Sequence, residues 1–265
     1  MEQAIYLTKV SQLKYLGTEF SRIYFGNEFC ERLLPGLEDL EKVINFVFRM
    51  ELEFTFLTPY VTNRGLKSLI SLLDIIAQEC PNSEVVFNDY GVLRVLLNTY
   101  SSLKPVMGRL LNRMKRGPRL MNFIEALPET TIKYFRSSSI DTPEFSNFLL
   151  SKGIRRIELD NLLQGIDLNL RKFGISASLY VPYAYVTTTR ICLAINCDEH
   201  GKEDIVGIFP CKRECQKYTF YLNNRVMPVT LIRKGNTVFF KNEKIPSNLD
   251  SMGVDRIVYE PELPI

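Results

Sequence analysis

The feature that most constrains the fold of this sequence is an alternation repeated through its first 185 residues. Short apolar, β-rich runs fall at 5–10, 22–26, 53–58, 84–88, 103–107, 132–136, 156–159 and 175–181. Longer segments with helical spacing of apolar residues separate them. Leu37, Leu40, Val43, Ile44 and Phe46 mark one helix face; Leu66, Leu69, Ile70, Leu72, Leu73 and Ile76 mark another. Thr142-Pro143 reads as an N-cap followed by a first-turn proline, and Lys152-Gly153 and Phe173-Gly174 read as C-caps before strands. A helix between successive strands makes a sheet parallel. Eight such strands predict an α/β fold, a closed TIM-like (β/α)8 barrel. No Gly-rich dinucleotide or phosphate-binding loop follows any strand.

The rhythm breaks at about residue 187. A cysteine-rich, charged loop follows, and then a β pattern with a turn at Lys234-Gly235-Asn236 and a last strand candidate at 255–259. The chain therefore divides, on sequence, into a barrel over 1–186 and a cysteine-rich loop with a small C-terminal β extension over 187–265. Hydrophobic residues are 46% of the chain, enough for a large core, and the net charge of +3 gives no strong nucleic-acid signal. No apolar run approaches the roughly 18 residues of a membrane span, so no membrane insertion is expected. Met1-Glu2-Gln3-Ala4 lacks a signal-peptide pattern, which makes the cytoplasm the expected compartment.

The six cysteines are Cys30, Cys80, Cys192, Cys197, Cys211 and Cys215. In a reducing compartment a late cluster of this kind points to metal or redox chemistry rather than to disulfides. The single histidine, His200, excludes a His-rich metal site and reads as exposed. Cys211-Lys212-Arg213-Glu214-Cys215 can place two thiolates on one side of a turn, and Lys212 and Arg213 are expected to lower their pKa values. Cys30 follows the second strand and Cys192 the eighth, so both belong at the C-terminal end of the barrel. One strand, or roughly 10 Å, would separate their strands. Cys80 ends a helix and reads as a core residue; Cys197 reads as a spectator beside the site. Cys30, Cys192, Cys211 and Cys215 thus form the candidate metal-ligand set. Four thiolates can hold zinc or an iron–sulfur cluster, or remain free. Dispersed ligands suit the larger group better.

Arg109, Arg113, Lys115, Arg116 and Arg119 form a basic run after the fifth strand. Its functional reading is an anion site at the barrel mouth for a carboxylate or phosphate, with Arg109 as the best-placed member. Lys115 and Arg116 read as a solvated helix face. Asn88, Asp89, Glu158 and Asp160 sit at or near strand ends, as acid–base groups or as structural partners. Tyr183 and Tyr185 read as pocket lining or packing, and Ser137-Ser138-Ser139 as an anion nest or a polar turn.

Several segments carry a resemblance. Ile23-Tyr24-Phe25-Gly26-Asn27-Glu28-Phe29-Cys30, Asn88-Asp89-Tyr90-Gly91-Val92-Leu93, Pro182-Tyr183-Ala184-Tyr185 with Arg190-Ile191-Cys192, and the closing Cys211 to Cys215 resemble, in order, elements of the UbiV-like branch of the collagenase-like peptidase family U32. The tail at 255–259 resembles a strand of that family. The resemblance implies a barrel and a [4Fe-4S] cluster on Cys30, Cys192, Cys211 and Cys215; Arg109, Tyr185 and Arg190 are the candidate binding residues beside it. It also implies oxygen-independent hydroxylation or a related redox modification with a UbiU-like partner protein, on a small molecule or an RNA base. The interval from Cys192 to Cys211 is longer than in that branch, so 198–207 reads as an inserted loop. Peptide hydrolysis, after the family's name, is the alternative, although no serine–histidine pairing is visible. A noncatalytic module stabilised by zinc is the third reading.

Overall fold

The computed structural model describes residues 1–202 and 211–265. Its strands and helices follow the expected alternation at first. β1 (Glu2–Leu7) leads to β2 (Arg22–Gly26), then α1 (Leu37–Arg49), β3 (Glu53–Leu57), α2 (Asn63–Glu79), β4 (Glu84–Phe87), α3 (Tyr90–Thr99) and β5 (Lys104–Met107). α4 (Glu129–Arg136) and α5 (Pro143–Ser151) precede β6 (Arg156–Asp160) and β7 (Ser176–Val181). β8 (Tyr183–Thr188), β9 (Phe220–Leu222), β10 (Leu231–Lys234), β11 (Thr237–Lys241), α6 (Leu249–Met252) and β12 (Val254–Tyr259) complete the chain. Among the described residues no helix is long and apolar enough to cross a membrane.

Eight parallel strands close the barrel in the order β1-β12-β7-β6-β5-β4-β3-β2. The (β/α)8-type barrel is therefore present, but one of its strands differs from the expected set. Residues 132–136 lie in α4, not in a strand. Ile132 and Phe135 stand three apart, a spacing that suits a short amphipathic helix as well as a strand. The missing strand is the tail: β12 lies between β1 and β7, pairing Ala4 with Val258 and Leu179 with Ile257. The boundary drawn at 186/187 consequently does not separate barrel from extension, because the barrel draws its closing strand from 254–259. Two strands, not one, separate β7 from β2. The extension begins at β8, which joins β11, β10 and β9 in a four-stranded antiparallel sheet. The loop expected at 198–207 lies partly outside the described residues.

Side-chain alternation explains the two-layered core. Ala4, Tyr6, Tyr24, Leu57, Val86, Val106, Tyr180 and Val258 pack together in the barrel interior. Their strand neighbours, among them Ile5, Leu7, Ile23, Phe25, Phe56 and Val85, pack outward with Leu40, Leu69, Leu73 and Ile76 of the helices. The N-terminal end of the barrel is closed by ion pairs. Arg22 and Arg256 each meet Glu2 at 2.6 Å, and Arg256 meets Glu84 at 2.6 Å. The other end carries the loops that build the site.

Candidate functional site

The loop leaving β2 turns sharply because Gly26 adopts a φ of +129°, and a Cβ there would stand 2.3 Å from the Leu57 carbonyl oxygen of β3. Only glycine fits that approach. The Asn27 carboxamide then accepts from the Phe29 and Cys30 amides at 3.0 and 2.8 Å, holding the loop as a compact turn. Successive side chains take different destinations. Glu28 enters the barrel mouth, Phe29 packs edge-on against Tyr185 and Phe239, and Cys30 faces a pocket.

That pocket is lined by Cys30, Cys192, Cys211 and Cys215, with Phe29, Leu33, Ile195 and Ile265 as apolar walls and Arg32 and Arg190 as cations. All four candidate ligands thus meet at one place, although they come from three distant stretches of chain. The thiols are free. Among the described residues no three of His, Cys, Asp or Glu are arranged to grip one metal ion. Cys197 is not in the lining, and Cys80 is buried in the outer core.

Local contacts fix each segment. Buried Glu214 accepts from the Asn196 amide at 3.1 Å and the Lys212 amide at 3.2 Å, binding the turn of Cys211 and Cys215 to the segment after Cys192. Asn236, in the β10–β11 turn, reaches the Phe29 carbonyl at 2.7 Å, the Thr189 carbonyl at 2.7 Å and the Tyr60 hydroxyl at 3.2 Å. It ties together the loops after β2, β3 and β8. The Tyr60 hydroxyl donates to the Thr189 carbonyl at 2.7 Å, and the Arg190 guanidinium stacks on its ring at 5.3 Å. Gly235 brings the same turn against Cys215, where a Cβ would stand 3.0 Å from that residue's Cβ.

Burial governs the thiols. Desolvation pushes Cys30 up to about 11, with the neighbouring Cys215, Cys211 and Cys192 adding to the effect. It raises Cys192 and Cys215 as well. The expectation that Lys212 and Arg213 would lower the thiols therefore fails at Cys215. Burial prevails there, the cation that opposes it is Lys234, and Lys212 pairs with Glu199 instead. Neutral thiols at this depth must release protons to bind a metal. The donor set fits a thiophilic group: four soft sulfur ligands and apolar walls, with Arg190, Arg32 and Glu31 also in the lining.

Beneath the pocket lies a second feature, of which sequence showed only parts. Arg109 is wholly buried, and all five of its N–H groups are engaged. It meets Glu28 at 2.5 Å, Glu260 at 2.9 Å, Asp160 at 3.2 Å and the Tyr183 carbonyl at 3.3 Å, and it lies over the Tyr180 ring at 3.8 Å. The anion role read for Arg109 is overturned, because its ligands are the protein's own carboxylates. Arg116 is also not on a solvated helix face: it is buried, pairs with Asp160 and stacks on Tyr185 at 4.0 Å. Three carboxylates face two arginines, and burial with the repulsion of Glu28 and Asp160 pushes Glu260 up to about 8. Tyr185 donates its hydroxyl to the Arg109 carbonyl at 3.0 Å and separates this cluster from the cysteine pocket. Asp89 caps α3 through the Gly91 amide at 2.6 Å, Asn88 holds the Leu110 amide at 3.0 Å, and Glu158 is buried in the barrel interior. His200 is exposed. Tyr60, Glu214, Asn236 and Glu260 were not singled out from sequence, and only the turn at Asn236 carried a signal.

No protein-family model matches the sequence, and no curated protein matches it. Among solved structures, the chain is similar to a U32 peptidase, Mk0906, at 16% identity and a TM-score of 0.51, over 100% of this chain and 94% of that one. A weaker likeness joins it to a GH18 chitinase from Cycas revoluta in complex with (GlcNAc)4, at 10% identity and a TM-score of 0.33, over 98% and 94% of the two chains. The first likeness supports the fold of a U32 peptidase for this chain.

Proposed function

We propose that Cys30, Cys192, Cys211 and Cys215 hold a [4Fe-4S] cluster, and that the protein acts in oxygen-independent hydroxylation or a related redox modification. The observation that carries this reading is the convergence of the four thiols on one pocket at the C-terminal mouth of the barrel. A single zinc ion would draw its four sulfurs to about 3.8 Å from one another, as a tetrahedron of 2.3 Å bonds requires. Thiols that line a pocket without gripping one ion suit a larger group. Bound there, a cluster would supply one-electron transfer.

The chain's own residues have definite parts in this scheme. The apolar walls limit the access of water to the sulfurs. Arg190, in the pocket lining, adds positive charge beside the deprotonated thiols. Asn236 and Glu214 hold the three ligand-bearing segments together. The resemblance of the cysteine segments to the UbiV-like branch, together with the U32-type fold, supports action in the cytoplasm with a UbiU-like partner protein, on a small molecule or an RNA base.

The name of the structurally similar peptidase favours a second reading, peptide hydrolysis. It has less support here, since exposed His200 is the chain's one histidine. Anaerobic purification tests the proposal. Brown protein with four irons and four labile sulfides, bleached by air, is the expected result. Colourless protein with one tight zinc would make the site a structural metal module. Cleavage of an unstructured peptide that persists with chelator and in Cys192→Ala would establish the hydrolase.

A further inference from the structure

A second cleft opens on the other side of Tyr60, whose side chain borders both it and the cysteine pocket. Its walls are Asn88, Leu110, Asn112, Arg113, Met114, Arg116, Tyr185 and residues 186–188. Its cavity volume is about 410 Å³, within the roughly 300–1,000 Å³ of small-molecule sites. It lies at the C-terminal ends of β4 and β5, the end of a barrel where ligands bind.

The lining carries two arginines and no carboxylate. Arg116 is more than nine-tenths buried. Its Nη1 donates to Asp160, and its Nη2 donates to the Arg109 and Asn112 carbonyls at 3.0 and 2.9 Å. Of its five N–H groups, Nε–H and one on Nη1 thus have no protein acceptor among the described residues. Asp160 pairs with Arg116 and with Arg109. Arg113 forms no ion pair among the described residues, so its positive charge is unbalanced at this rim. The neighbouring amides are already committed. Asn88 bonds the Thr58 carbonyl at 2.9 Å and the Leu110 amide at 3.0 Å, and Asn112 bonds the Glu158 carbonyl at 3.4 Å. The side-chain groups free to receive a ligand are therefore the cationic N–H donors and the Thr187 hydroxyl.

We infer that this cleft binds a small oxyanion, a carboxylate or a phosphate, between Arg113 and the free N–H groups of Arg116. Guanidinium groups suit both anions because their forked donors match a pair of oxygens. The inference extends the proposed function by placing a substrate class one aromatic ring from the sulfur pocket. That role rests on the iron–sulfur reading, whereas the binding does not.

Calorimetric titration of the full-length protein with inorganic phosphate and, separately, with benzoate tests it, against chloride at matched ionic strength. At least one anion is expected to bind saturably, and the tighter of the two identifies the class. Arg113→Gln is expected to weaken it at least fivefold, with Arg155→Gln, remote from the cleft, binding as wild type. Cys192→Ser is expected to bind the anion as wild type whatever its iron content, so that failure of the metal site and failure of the cleft are told apart. Absence of saturable binding by either anion, unchanged affinity in Arg113→Gln, or loss of binding in Cys192→Ser would overturn the inference.

Discussion

The carboxamide of Asn236 donates to the carbonyl oxygen of Phe29 at 2.7 Å, one residue before Cys30 and 207 positions away in sequence. This bond fastens the β10–β11 turn to the loop that presents the first candidate ligand. The same amide reaches Thr189 and Tyr60, so one side chain sets the relative positions of three loops. Asn236→Ala is expected to destabilise the fold by about 1–3 kcal/mol, as loss of a buried polar partner does. It should also accelerate air bleaching of anaerobically purified protein. Urea unfolding and the decay of visible absorbance measure the two effects.

Arg109 holds Glu28, Asp160 and Glu260 around one guanidinium, all of them buried. Removing one partner of such a cluster strands the opposing charge and costs about 3–5 kcal/mol. Arg109→Met should show a loss of that size or fail to fold. Arg109→Lys should recover only part, because an ammonium cannot replace five donors in a planar fork. The comparison of urea midpoints for the two variants checks this.

Glu158 gives the stability a pH dependence. Burial, above all, pushes its carboxyl up to about 8; Arg256 and Arg156 oppose the shift, while Glu84 and Glu28 reinforce it. Its Oε1 accepts from Tyr24 at 3.2 Å, and its Oε2 is buried with no partner among the described residues. An unfolded glutamate titrates near 4.3. Between there and about 8 the folded chain keeps a proton that the unfolded chain loses, so stability declines with rising pH across that window. Glu158→Gln should match wild type at pH 4.5 and be the more stable by several kcal/mol, to order of magnitude, at pH 8.5. Unfolding free energies at the two pH values measure the difference.

Gly26 admits no side chain, since its φ is +129° and the Leu57 carbonyl lies against it. Gly26→Ala should cost about 2 kcal/mol or more through backbone strain and displacement of β3. Because Asn27 to Cys30 follow directly, the variant should also lose bound metal. Parallel measurement of melting temperature and iron content tests both effects.

The barrel was legible because buried parallel strands leave apolar runs, and because β2 to β5 alternate regularly with α1 to α3. Residues 132–136 misled because five residues are too few to separate a period of 2 from one of 3.6. The tail at 254–259 was recognisable as a strand, but its place between β1 and β7 depends on closure across the whole chain. The cysteine site was legible for a different reason: thiols are few, and each has a short list of uses. Asn236, Tyr60 and Glu260 left no such trace, since an amide, a phenol or a carboxylate acquires its role only from the neighbours that folding brings to it. Arg109 and Arg116 were visible as charge, but Arg109 was read as an anion ligand and Arg116 as exposed, because their carboxylate partners, Glu28, Asp160 and Glu260, stand on or just past other strands.

Cys30 is the candidate ligand farthest in sequence from the rest of the set, and its iron dependence tests the central claim most directly. Iron and labile sulfide should be measured in anaerobically purified Cys30→Ser, with Cys80→Ser as the buried control. The account predicts four irons in wild type and Cys80→Ser, and a cluster lost or held at well below half occupancy in Cys30→Ser. A Cys30→Ser protein that keeps its full iron and visible spectrum, or a wild type that takes up no iron, would contradict it.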